Sequence, residues 1–265
     1  VPDPSAVAVF ADLREEGGEL DALVAALPGP DWARPTPADG WSIAHQIAHL
    51  HWTDRAALLA LTDADGFARQ AEEALKAPGT FVDDGAAQGA RLDPAALLAR
   101  WREGRRTLGA ALAEASADAR FPWYGPPMKA ASMASARLME TWAHGQDVAD
   151  ALGVSRTPTA RLRHVARIGV RARDYAYAVR GLPLPDGEFR VELGAPDGGA
   201  VWVYGPADAS QRVTGPALDF CLLVTQRAHR ADLGLTATGP DAARWLDIAQ
   251  AFAGPAGSGR APRGA

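Results

Sequence analysis

The first 155 residues of this 265-residue chain read as long helix-forming stretches separated by proline- and glycine-rich breaks, and then the pattern stops. No other feature restricts the fold as strongly. A lone amphipathic helix of about 20 residues is marginal in water, so several in succession must bury their apolar stripes against one another as a bundle. The spacing predicts a first helix over 7–27, ended by Pro28-Gly29-Pro30, then a loop over 31–40. A second helix opens at Trp41-Ser42-Ile43 with Ser42 as N-cap and runs to Leu61. A short helix follows over 65–76, and 77–91, rich in Gly and Pro, reads as a connection or flap. Asp93-Pro94 pairs a capping acceptor with a first-turn proline and starts a third long helix, to Ala117. Phe121-Pro122-Trp123-Tyr124 and the prolines after it cannot be helix interior; they read as loop aromatics packing on the bundle. A fourth helix spans 132–152 and stops at Gly153.

Beyond residue 155 the period changes. Thr157-Pro158 predicts a helix to about Arg180. Alternating runs at 189–193, 201–204 and 211–213, with Pro196-Asp197-Gly198-Gly199 between the first two, read as a hairpin or meander. A helix over 216–229, a strand over 233–238 and a helix over 241–252 complete the pattern. The expected organisation is α with α+β: a helical bundle over 1–155, a small α+β domain over 156–253, and a disordered tail over 254–265.

Composition narrows the function classes. Hydrophobic residues make up 48% and charged residues 22%, the balance of a globular domain. No apolar run reaches the roughly 18 residues a bilayer requires, and the start lacks the pattern of a secretory signal, so a cytoplasmic location is expected, without membrane association. A net charge of −5 and a pI near 5.7 speak against nucleic acid as a partner. The single cysteine, Cys221, excludes a disulfide framework or a thiolate-rich zinc site and reads as core. A monomer or homodimer is expected.

The histidines carry the chemistry. His45 and His49 share one face of the second helix, apart from the Ile43, Ile47, Leu50 stripe. On the fourth helix Glu140 and His144 are four residues apart and stack on a face that also holds Arg137 and Asp147. Two imidazoles and one carboxylate suit Zn²⁺ or another borderline divalent ion and leave coordination positions open for chemistry. The competing reading of that polar face is a solvated, salt-bridged surface. Spacing does not choose between His45 and His49 as the third ligand. His51 and His164 read as surface or interface histidines, and Asp54 and Asp147 either as acids able to orient a ligand imidazole or as ordinary surface acids.

Two segments, GWSIAHQIAHLHWTD (40–54) and LMETWAHGQDVADALG (138–153), resemble motifs of the DinB-like metal-binding bundles. They are more closely similar to the N-terminal domain of mycothiol-dependent maleylpyruvate isomerases, in an uncharacterised actinobacterial branch sometimes labelled by a wyosine-related C-terminal domain. The resemblance implies a DinB-like four-helix bundle with a small α+β domain after it. It also implies His49, Glu140 and His144 as metal ligands. The segment 215–233 resembles the family stretch that ends in a Gly-Arg step, whose arginine holds an anionic substrate. Arg227 matches that arginine, with Gln226 in the glycine's place; the competing reading of Arg227 is an exposed arginine at a helix end, complementing the helix dipole.

The expected function is therefore a zinc-dependent, thiol-using isomerase or S-transferase. It would act on a small electrophilic acid, with mycothiol as co-substrate and Arg227 on the acid's carboxylate. The alternatives are a non-catalytic metal-binding protein and a metal-assisted cyclase or hydrolase of secondary metabolism.

Overall fold

A computed structural model of the chain describes residues 4–77 and 79–263. Its helices are α1 (Pro4–Val24), α2 (Ile43–Thr62), α3 (Ala64–Lys76), α4 (Phe81–Ala90), α5 (Pro94–Glu114), α6 (Ala130–Leu152), α7 (Leu162–Arg171), α8 (Arg173–Ala178), α9 (Ala217–Val224) and α10 (Pro240–Ile248). Its strands are β1 (Arg190–Gly194), β2 (Val201–Tyr204), β3 (Arg212–Pro216) and β4 (Thr236–Thr238). The chain divides into two compact units, Val1–Arg156 and Thr157–Ala265. Among the described residues no helix is long and apolar enough to cross a membrane.

In the first unit, local chemistry sets the helix ends. Ser42 and His45 close a capping box at the start of α2. Asp93 accepts the Ala95 and Ala96 N–H groups ahead of α5, with Pro94 in the first turn. Gly153, at φ 68°, ends α6 and lets the Val154 N–H reach the Ala149 carbonyl at 2.9 Å. The four long helices α1, α2, α5 and α6 pack as a bundle, α1 and α2 each against both α5 and α6. Its core includes Leu20, Val24, Ile43, Ile47, Leu50, Leu97, Trp101 and Val148.

The stretch expected to be a connection over 77–91 contains a real helix, α4. Its glycines read as breakers in sequence, but here they permit close packing. A β-carbon on Gly89 would lie 2.7 Å from Ala48 Cβ, and one on Gly85 would lie 3.2 Å from the Trp52 ring. Phe81 and Tyr124 add rings to the same contact, 5.7 and 6.3 Å from Trp52. Tertiary contact therefore overrides weak local propensity.

In the second unit a four-stranded sheet has the order β2-β1-β3-β4. β1 and β2 form an antiparallel hairpin, β1 and β3 run parallel, and β3 and β4 are antiparallel. Phe189, Val191, Val213, Phe220, Cys221 and Trp245 fill its core. The helix expected to start at Thr157-Pro158 begins only at Leu162, after a turn in which Thr159 Oγ1 accepts the Arg161 N–H at 3.3 Å, and it divides at Ala172. The helix expected over 216–229 stops at Val224, the strand over 233–238 shortens to β4, and the last helix ends at Ile248. The tail has neither helix nor strand over its described residues, but it is tied down. The Tyr175 hydroxyl donates to the Gly254 carbonyl at 2.6 Å, and the Arg263 N–H donates to Asp232.

Gly89→Ala should destabilise the protein by about 1–3 kcal/mol in urea unfolding, because overpacking against Ala48 outweighs the roughly 1 kcal/mol gain in helix propensity. An increase in stability would show that α4 does not pack on α2 as described. A second prediction concerns Asp21, which joins α1 to α5 through Arg102 (2.8 and 2.6 Å) and Arg105. Hydrogen bonds from Arg102, with help from Arg105 and against a burial penalty, hold its carboxyl below the ordinary range. The folded state thus binds the Asp21 proton more weakly than the unfolded chain does. The stabilisation is complete above the unfolded carboxyl pKa of about 4 and is lost as pH falls through the lower folded value. Asp21→Asn should cost about 1 kcal/mol at pH 7, and the gap from wild type should narrow steadily below pH 4.

Candidate metal centre

Helix α2 presents His49, and α6 presents Glu140 and His144 on adjacent turns. Glu140 Oε2 lies 3.3 Å from His49 Nε2 and 3.2 Å from His144 Nε2. One ligand atom from each residue lies within 4.8 Å of those from the other two. Donors at about 2.0–2.1 Å around a tetrahedral ion stand about 3.3 Å apart, so the carboxylate–imidazole separations fit such an ion. The donor types, two imidazole nitrogens and one carboxylate oxygen, suit zinc and its neighbours. Burial pushes the Glu140 carboxyl up, but hydrogen bonds and charge from His144 and His49 outweigh it and hold the group well below the usual range. The Glu140 side chain keeps 22% exposure, so the cluster is not wholly sealed from solvent.

The polar face of α6 is not a solvated surface. Arg137 is 1% exposed and Asp147 2%. Arg137 Nε donates to Asp54 Oδ1 of α2 at 2.9 Å, so Asp54 serves this buried ion pair. His45 is occupied elsewhere: its Nδ1 accepts the Ser42 N–H at 3.3 Å and lies 2.8 Å from the Ser42 hydroxyl, in the capping box. That engagement separates two histidines that spacing leaves equivalent. His51 is half-buried and stays neutral near pH 7, because burial first, then Arg55 and Arg100, bring its pKa down to about 4. His164 is buried rather than at the surface.

Two residues around the cluster escaped sequence reasoning. The Trp41 ring stacks on His144 at 5.9 Å and lies 5.3 Å from His49, and its Nε1 donates to Asp83 of α4 at 3.0 Å. Gln46, fully buried, meets His144 Nδ1 through its Oε1 and donates to Thr36 Oγ1 at 2.9 Å. A signal for Gln46 was present: it occupies the i+3 slot of the apolar Ile43, Ile47, Leu50 stripe, where an amide needs partners. Trp41 was read only as part of a helix opening, because α4, which holds its indole, was not foreseen.

In the second unit Cys221 is buried, donates to the Leu162 carbonyl at 3.5 Å, and is pushed up in pKa by that burial. It is core, as its apolar neighbours imply. Arg227 is half-buried, with Nη1 donating to the Thr225 carbonyl at 2.7 Å. Gln226, where the resembling family has glycine, sits at φ 60°, in the left-handed region. It closes a Schellman motif on α9: the Gln226 N–H bonds the Leu223 carbonyl at 2.9 Å and the Arg227 N–H bonds the Leu222 carbonyl at 2.8 Å. The position thus keeps the conformation that favours glycine. Gln226→Gly should stabilise the protein by about 1 kcal/mol, read as a rise in Tm, since glycine adopts that conformation without the side-chain penalty. A fall in Tm would show that the Gln226 side chain contributes more than its backbone costs.

The model of the mycothiol maleylpyruvate isomerase N-terminal domain matches residues 13–149, and a model described as wyosine base formation matches 185–238. Two uncharacterized proteins, from two strains of Mycobacterium tuberculosis, are each 58% identical over 250 residues, covering 94% of this chain and 97% of theirs. Crystal structures of the mycothiol-dependent maleylpyruvate isomerase and of a histidine-to-alanine mutant align with TM-scores of 0.58 and 0.59. Both are 17% identical and cover 89% of this chain and 95% of theirs, which shows the shared DinB-like fold. The chain belongs to the family defined by the mycothiol maleylpyruvate isomerase N-terminal domain.

Proposed function

We propose that this protein is a divalent-metal-dependent, thiol-using isomerase or S-transferase, in which the thiolate of a low-molecular-weight thiol adds to an electrophilic carbon of a small acid. One observation carries the reading: a carboxylate oxygen of Glu140 flanked at 3.2–3.3 Å by the Nε2 atoms of His144 and His49. Those three residues are the assigned ligands, and zinc is the favoured ion. A divalent cation held there lowers the pKa of a thiol that approaches it, so that thiolate is available at neutral pH.

The chain's own residues do the rest. Glu140 supplies one negative charge and the histidines none, which leaves net positive charge at the centre to attract an anionic sulfur. The rings of Trp41 and Trp52, 5.3 and 6.2 Å from His49, flank its imidazole and replace water beside it, which strengthens that attraction. Arg227 is assigned to the substrate carboxylate, which a guanidinium can hold in a bidentate pair. The family relationship supports mycothiol as the thiol, and the cytoplasm, where thiols stay reduced, as the compartment.

The test is metal analysis of the purified protein, followed by thiol titration of its cobalt form. One equivalent of metal is expected, with the visible spectrum shifting when mycothiol is added. His49→Ala and Glu140→Gln should weaken metal binding by about 100-fold or more and abolish thiol-dependent turnover, while His45→Ala retains the metal. If metal binds but the thiol leaves the spectrum unchanged, the thiol reading fails. Non-catalytic metal binding, or a metal-assisted cyclisation or hydrolysis, would then stand in its place.

A further inference from the structure

A run of hydrogen bonds behind the cluster leaves only one arrangement of protons. The Trp41 carbonyl can only accept, and it takes the Thr36 hydroxyl at 2.9 Å. With its proton so placed, Thr36 Oγ1 must accept from Gln46 Nε2, 2.9 Å away. The Gln46 amide is therefore oriented with its NH₂ toward Thr36 and its Oε1 toward His144 Nδ1. An amide oxygen has no proton to give, so the ring proton of His144 must be on Nδ1. Its Nε2, the atom 3.2 Å from Glu140, is then the nitrogen that would bind a cation. Gln46 has 0% exposure, so no solvent competes for its amide.

We propose that Gln46 is a positioning residue for the metal centre: anchored by Thr36 and Trp41, it holds His144 as the Nδ1–H tautomer and aims the Nε2 lone pair at the cation. The proposal rests on the metal-site reading and deepens it. His45, three residues from a hydroxyl of its own, shows the opposite state. The Ser42 N–H occupies its Nδ1 lone pair, which places the ring proton on Nε2. The α2 sequence thus assigns one tautomer through a side chain that accepts and the other through a backbone group that donates.

The experiment measures zinc affinity by chelator competition and records ring-nitrogen NMR spectra of the zinc-loaded protein with labelled histidine. In the wild type, His144 should show a metal-bound Nε2 and a slowly exchanging Nδ1 proton. Gln46→Leu should weaken zinc binding by about 10–100-fold and speed exchange of that proton. Gln46→Glu, which keeps an acceptor at His144, should hold zinc at least as tightly as wild type. Zinc affinity unchanged in Gln46→Leu, or a His144 ring bound to zinc through Nδ1, would overturn the proposal. If Gln46→Leu does not fold, weaker zinc binding by Gln46→Glu would overturn it equally. Failure of the wild type itself to bind zinc is a different result, because it removes the metal site and not only the role of Gln46.

Discussion

Everything in the first unit is arranged around polar groups enclosed between α2 and α6. A guanidinium, two carboxylates, two imidazoles and an amide lie on the inner faces of these helices. Such groups are costly to bury unless each finds a partner. Here Arg137 pairs with Asp54, Glu140 lies between His49 and His144, and His144 meets Gln46. Because each pair spans the two helices or adjacent turns, sliding α6 by one turn along α2 would leave several partners unmatched at once. The same network that forms the candidate site therefore specifies the register of the bundle, a use of buried polar contacts attested in other helical assemblies.

The smaller elements act on this seam from outside. Helix α4 packs so closely on α2 that its glycines face Ala48 and the Trp52 ring. From there Asp83 reaches the Trp41 indole, which covers the imidazoles. The loop before α2 contributes Thr36 and the Trp41 carbonyl, the anchors of Gln46. A segment with poor helix propensity and a loop of ordinary appearance thus supply the surroundings of residues on the two best helices. Rigid helices hold the donor atoms, and the connecting segments tune them.

Legibility followed the range of the interactions. The starts of α2 and α5 and the stop of α6 rest on contacts within four residues, Ser42 with His45, Asp93 with Ala95 and Gly153 with its own helix, and these could be read directly. Helix α4 depends on what packs against it and could not, and no local signal marked the break at Ala172. The left-handed turn at Gln226 was hidden because the residue is not glycine, although the alignment with a family Gly-Arg step pointed to that position.

By itself the sequence determined the long helices, their order, and the pairing of Glu140 with His144, because a helix repeats every 3.6 residues wherever it is placed. Family resemblance added His49. Only the tertiary structure decided that the polar face of α6 turns inward, that His45 is engaged by its own cap, and that Gln46 and Trp41 belong to the site. Those outcomes depend on which helix faces which, and 91 residues separate His49 from Glu140. No local rule spans that distance, because only burial of the apolar stripes brings the two helices together.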